Sequence, residues 1–162
     1  MLTELRGIFG RDDDEPLPDL SVFPPAIVEF ESPPGTYYDA FPLLVMTTSA
    51  LAALQAALPD SNADVRRFRP SLVVDAKGAD ATSPGHPEFD WVGRRATIGS
   101  ATVEFTVACP RCVMVTREID ETVPADRAVL RHIVRELDQN VGVYATVVTP
   151  GRIAVGDTMA LH

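Results

Sequence analysis

Cysteine is scarce in this chain, which carries two in 162 residues, Cys109 and Cys112. Two thiols cannot complete a four-ligand structural zinc site without a second pair or two closely spaced histidines, and the three histidines, His86, His132 and His162, stand far apart. Positive charge is short as well. A net charge of −9 and a pI near 4.7 argue against nonspecific nucleic-acid binding and against docking on anionic membranes, both of which need clustered cations. No apolar run approaches the roughly 18 to 20 residues of a membrane span, and the opening MLTELRGIFGRDDDEP has neither the apolar segment nor the cleavage site of a secretion signal. These absences set the expectation of a cytoplasmic protein with reduced thiols and no nucleic-acid or membrane partner. Familiar catalytic signatures are missing too: no serine sits in a G-x-S-x-G setting, no glycine-rich phosphate loop occurs, and the runs Asp12 to Glu15 and Glu118 to Glu121 read as solvated charge.

What is present suits one domain with a packed core, since 46% of residues are hydrophobic and 23% charged. Residues 1–35 read as an irregular lead-in, acidic at RDDDEPLPDL and interrupted by Pro24, Pro25, Pro33 and Pro34 around the run AIVEFE. Leu43 to Met46 then reads as a buried strand, and Thr47 to Ser49 offer hydroxyl caps for a helix with Leu51, Leu54 and Leu58 on one face and Pro59 at its end. A short strand at Leu72 to Val74 is opened by a proline, which keeps it out of a central ladder. Residues 76–90, rich in Gly, Pro, Asp and Ser, predict a surface loop. Val103, Phe105 and Val107 alternate with Thr102, Glu104 and Thr106, the period of a half-buried strand. A second helix carries an apolar stripe of Val129, Leu130, Ile133, Val134 and Leu137, with Asp126 at its start, Asn140 and Gly142 at its stop, and His132 on the solvated face. The end of the chain predicts a hairpin about Thr149-Pro150-Gly151-Arg152, with glycine supplying the positive φ of a type II turn. Roughly six to eight strands against two helices predict a mainly β fold with peripheral α-helices, a barrel or curled sheet.

The chemistry concentrates in Val107 to Thr116, VACPRCVMVT. The C-x-x-C spacing is that of a dithiol oxidoreductase, but such pairs open a helix, whereas Val-Met-Val-Thr here suits a strand. Cys109 continues the alternation of Val103, Phe105 and Val107 and reads as a small buried hydrophobe. Cys112 follows an arginine and a proline that break the strand, and Arg111 can stabilise a nearby thiolate. A thiolate presented at a bend suits a nucleophile, a persulfide carrier or a single metal ligand. Arg66, Arg67 and Arg69, taken alone, read as a solvated surface cluster.

The segments DVRRFRPSLVV, W-V-G-x-x-x-x-I-G, ACPRCVMVT and NVGVYATVVTPGRIAVGD, in this order, resemble the MOSC domain family, named for the C-terminal domain of molybdenum cofactor sulfurases; the resemblance covers about residues 36–161. It implies a β-barrel with peripheral helices. Members similar to the mitochondrial amidoxime-reducing component and its bacterial relatives bind the molybdenum pterin cofactor (molybdopterin), with the second cysteine of a C-x-R-C motif as metal ligand. That position is Cys112, and a soft thiolate suits a metal that cycles between oxidation states. The family's R-F-R-P-N motif appears as Arg67 to Ser71, which implies Arg69 as a cofactor contact; Arg111 lies inside the cysteine motif, Thr47 matches a hydroxyl position after the buried strand, and Ser71 stands where relatives carry asparagine. Larger relatives begin with a separate N-terminal β-domain that supplies basic contacts to the cofactor. The lead-in resembles a remnant of that domain, LTELRGIFGRD resembling its trailing helix, and residues 36–162 resemble the MOSC domain proper; half of the cofactor cradle would then be absent.

Three functions follow from the resemblance. The first is reduction of N-oxygenated small molecules by oxygen-atom transfer at a Cys112-ligated molybdenum, fed by a redox partner protein. The second is sulfur transfer through a Cys112 persulfide, fed by a cysteine desulfurase. The third is a noncatalytic binding module without cofactor.

Overall fold

The computed structural model describes residues 2–17, 21, 40–76, 82, 83 and 85–162. The AIVEFE run, the prolines around it and residues 77–81 and 84 of the expected surface loop lie outside the described residues. Helix α1 (Leu2–Phe9) occupies part of the expected irregular lead-in, because Leu, Glu and Arg are good helix formers and Gly10 turns left-handed, φ 62°, at its end. A side chain at Gly10 would also strike Leu130, its Cβ falling 2.6 Å from Leu130 Cδ2.

Strand β1 (Leu43–Thr47) is apolar along its length because it is inner on both sides, pairing in parallel with β2 (Leu72–Val74) and antiparallel with β5 (Asn140–Thr149). Thr47 ends β1 and caps helix α2 (Thr48–Ala57), its Oγ1 accepting from Ala50 N at 3.0 Å. β2 is an edge strand, as its leading proline requires. β3 (Arg95–Ile98) and β4 (Ala101–Pro110) form a hairpin, and β6 (Met159–Leu161) adds to the far side of β3. The resulting six-stranded sheet has the order β2-β1-β5-β4-β3-β6. It curls into a half-barrel: edge residues Val73 and Met159, from opposite ends of that order, line one cavity of about 1000 Å³ floored by Trp91 and Ile98. Helix α3 (Arg127–Glu136) is capped by Asp126, whose Oδ1 accepts from Ala128 N at 2.8 Å. Among the described residues no helix is long and apolar enough to cross a membrane.

Three apolar clusters fill the two faces of the sheet. Val45, Trp91, Val103, Phe105, Val143 and Ala145 pack on the concave side. Met46, Leu54, Phe68, Val129 and Ile133 pack beneath α2 and α3. Phe41, Leu44, Cys109 and Tyr144 form the third. Cys109 is buried, but not as a continuation of the β4 alternation. A bulge at Thr106 lets Phe105 pair with Ala145 and Val107 with Tyr144, so parity flips and Cys109 joins the face of Leu44 and Tyr144.

Four local expectations give way to longer-range contacts. The terminal hairpin is not formed: β5 keeps its pairing with β4 out to Thr149, and β6 pairs with β3. Gly151 has no positive φ; it is needed because the chain crosses the β3–β4 turn there, a Cβ falling 2.5 Å from Ala101 N, while Arg152 exchanges bonds with Ser100 (Ser100 N to Arg152 O, 3.1 Å; Arg152 N to Ser100 Oγ, 2.8 Å). Helix α3 stops at Asp138 and Gln139, both left-handed at φ 47° and 68°, whereas Asn140 and Gly142 already belong to β5. Residues Pro87–Trp91 form a 3₁₀ helix with Pro87, Glu88 and Trp91 buried, where a surface loop was expected, because Trp91 packs into the concave cluster. Val113–Thr116 form another 3₁₀ turn rather than a strand, since Pro110 ends the β4 ladder and Thr116 Oγ1 donates to Val113 O at 2.8 Å.

Candidate functional site

The cysteine motif crosses the Arg67–Ser71 segment, and two buried arginines fix the crossing. Arg111 donates from Nη1 to Cys109 Sγ at 2.9 Å and from Nη2 to the Phe68 carbonyl at 2.7 Å, with its guanidinium 5.4 Å from the Phe68 ring centroid. Its backbone is pinned by Gln139: Arg111 N donates to Gln139 O at 2.8 Å and Gln139 Nε2 donates to Arg111 O at 2.9 Å. Arg67 spends its donors on backbone carbonyls of Asn62, Val115, Arg117 and Pro124 at 2.7 to 3.2 Å. It is therefore no part of a solvated cluster; it lies 3% exposed because only a guanidinium fork reaches four convergent carbonyls. Arg66 does face water, held by Asp64 at 2.9 Å and Asp120 at 2.5 Å.

Between these clamps the backbone of Cys112 is extended, φ −108° and ψ −179°, at the start of the 3₁₀ turn. Cys112 is half-buried and its thiol makes no hydrogen bond among the described residues, whereas Cys109 is buried and its thiol engaged. Arg69 follows Phe68 directly, exposed and left-handed at φ 54°. The bond from Arg111 to Phe68 ties the segment that carries Arg69 to the one that carries Cys112. The other expected contacts lie apart along β1. Ser71 Oγ accepts from Leu44 N at 3.2 Å, and Ser71 N donates to Leu44 O at 2.8 Å. Thr47 is fully buried and its Oγ1 donates to Glu88 Oε2 at 2.7 Å. Both hydroxyls thus hold the fold together.

One buried polar group was not foreseen. Glu88 is wholly buried, and its Oε1 lies 3.5 Å from His86 Nδ1, neither atom having a hydrogen-bond partner among the described residues. His86 stacks on Phe89 with ring centroids 5.3 Å apart. The available signal was the pair Phe89 and Trp91, bulky apolar residues in an otherwise polar run, which anchor the segment inward.

Elsewhere, charged groups are set by exposed partners. The Thr122 hydroxyl and backbone N–H, with Arg66 beside them, hold the Asp120 carboxyl down at about 2. Arg66 likewise lowers Asp64. Among the described residues no group of three or more His, Cys, Asp or Glu is disposed to hold a metal. A metal bound at Cys112 would take one thiolate from the protein and its other ligands from a cofactor, a donor set that a single half-buried thiol without a hydrogen bond among the described residues fits.

A family model described as the MOSC domain matches residues 33–160. Two relatives, both named mitochondrial amidoxime reducing component 2, from Macaca fascicularis and Homo sapiens, are each 31% identical over 133 residues, which cover 75% of this chain and 37% of theirs. The chain thus spans little more than a third of those relatives. A solved structure described as a crystal structure of a hypothetical protein superimposes with a TM-score of 0.52 at 14% identity, over 74% of this chain and 50% of the other, a likeness of fold alone.

Proposed function

The chain belongs to the MOSC domain family, and from that premise we propose that it is a molybdenum-cofactor protein that reduces N-oxygenated compounds. The observation that carries the reading is the asymmetry of the two thiols: Cys109 is buried and bonded to Arg111, whereas Cys112 is half-buried, without a hydrogen bond among the described residues, and held between two arginine clamps. Cys112 would hold the metal as its one protein ligand. Arg69, which is exposed, would offer its guanidinium to anionic or carbonyl oxygens of the pterin, while Arg111, which donates to Cys109 and Phe68, would position the Cys112 backbone. When bound, the group would accept an oxygen atom from an N–O bond. Reduction of N–OH to N–H takes up two electrons and two protons and releases water, so a separate electron-donor protein is part of the proposal. The test is elemental analysis of protein purified from a cofactor-producing host. Molybdenum should copurify with the chain and with Cys109→Ala and be lost with Cys112→Ser; background metal in the unaltered chain would reject the assignment.

The same thiol favours a second reading, a sulfur carrier. A desulfurase persulfide would pass its outer sulfur to Cys112 and take back the thiol proton, with no net oxidation. Mass spectrometry after incubation with a desulfurase and cysteine should find one added sulfur on Cys112; addition on Cys109 alone would refute it.

A further inference from the structure

On a chain of net charge −9, five of the fourteen basic residues line a single cavity of about 380 Å³. Arg6 and Arg11 come from α1 and the turn after it, and Arg127, Arg131 and Arg135 from α3, where they recur every four residues and so fall on one face. Like charges so spaced repel unless something answers them. Arg127, Arg131 and Arg135 make no hydrogen bond or ion pair among the described residues, and the Nε of Arg11 is buried without a partner. Arg6 differs, because its Nη1 donates to the carbonyls of Asp12 and Glu15 at 2.5 Å and so builds the wall. The two carboxylates in the lining, Asp12 and Glu15, are not paired with the α3 arginines; Glu15 instead accepts from Asp12 N at 3.0 Å. Leu130, Val134 and Val113 supply an apolar floor.

We propose that this cavity binds a small organic phosphate of the diphosphate class. The volume suits a small molecule rather than a folded partner, the guanidinium excess suits a polyanion whose oxygens accept paired donors, and the apolar floor suits the organic body that carries it. Cys112 does not line the cavity, although its neighbour Val113 does; the test below uses no molybdenum, so the proposal stands or falls independently of the molybdenum reading.

Inorganic pyrophosphate titrated calorimetrically into the full chain at low ionic strength tests the proposal. Saturable binding at one site is expected with a Kd below about 1 mM, weakened at least about tenfold in Arg131→Gln/Arg135→Gln. Arg127→Gln should show a smaller loss, and Arg117→Gln, an exposed arginine outside the lining, none. Without ligand the double variant should melt no lower than the parent, since it removes only repulsion. Absence of saturable binding, binding that survives the double variant, or a lower melting temperature of the ligand-free double variant would each overturn the assignment, the last by giving the stripe a structural role.

Discussion

Two regions of this molecule use arginine in opposite ways. At the crossing of the cysteine motif with Arg67–Ser71, Arg67 and Arg111 are buried and their donors are spent on carbonyls and a sulfur. Along α3, Arg127, Arg131 and Arg135 are exposed and spend none on the described residues. The difference teaches that a guanidinium is structural when the backbone supplies convergent acceptors and available when it does not; residue type and local charge do not decide it.

The contrast breaks most sharply at Arg67. Arg67→Met should orphan four carbonyls and cost about 3 kcal/mol or more, read as a lower urea midpoint. Arg111→Lys keeps the charge but loses the fork and the stacking over Phe68; a loss of about 2 kcal/mol is expected, with faster alkylation of Cys109 as its Sγ is released. Thr47→Val removes both the cap on α2 and the donor to Glu88, for about 1 to 2 kcal/mol in the same melts. A smaller effect attends Asp120. Its carboxyl titrates at about 2 in the folded protein against an ordinary 3.8, so its contribution is full above about pH 4 and lost as pH falls through 2. The midpoint difference between the parent chain and Asp120→Asn should shrink over that window. Arg131→Gln should leave stability within about 0.5 kcal/mol; a large loss there would erase the distinction between the two regions.

Much of the fold was legible where one short-range force dominates. The run Leu43 to Met46 reads as buried, a hydroxyl within Thr47 to Ser49 and the carboxyl of Asp126 read as helix starts, and the proline before Leu72 reads as an edge, because each follows from apolar content or from a side chain's own hydrogen-bonding or dihedral limits. The failures all sit where a distant contact outbids local preference. Thr149 to Arg152 has hairpin composition, yet Ser100 captures Arg152 and carries the chain across to β3. Val113–Thr116 is β-branched, yet Arg67 gathers the turn's carbonyls. At the site, the different fates of Cys109 and Cys112 could be read from the break at Pro110 and Arg111. The partner of the Arg111 guanidinium could not, since nothing local says that it turns back to Cys109 rather than forward.

The bulge at Thr106 decides which face of the sheet Cys109 meets. Between Phe105 and Cys109 the strand changes faces once, because β4 fits one residue more than β5 offers opposite it. Deleting Thr106 would remove the extra residue and leave Val107 and Cys109 on the side of Tyr144, whereas regular pleating with Thr106 retained would aim Cys109 into the barrel beside Phe105 and away from the Arg111 guanidinium. The surroundings of Cys109 therefore depend on the bulge keeping its place along β4.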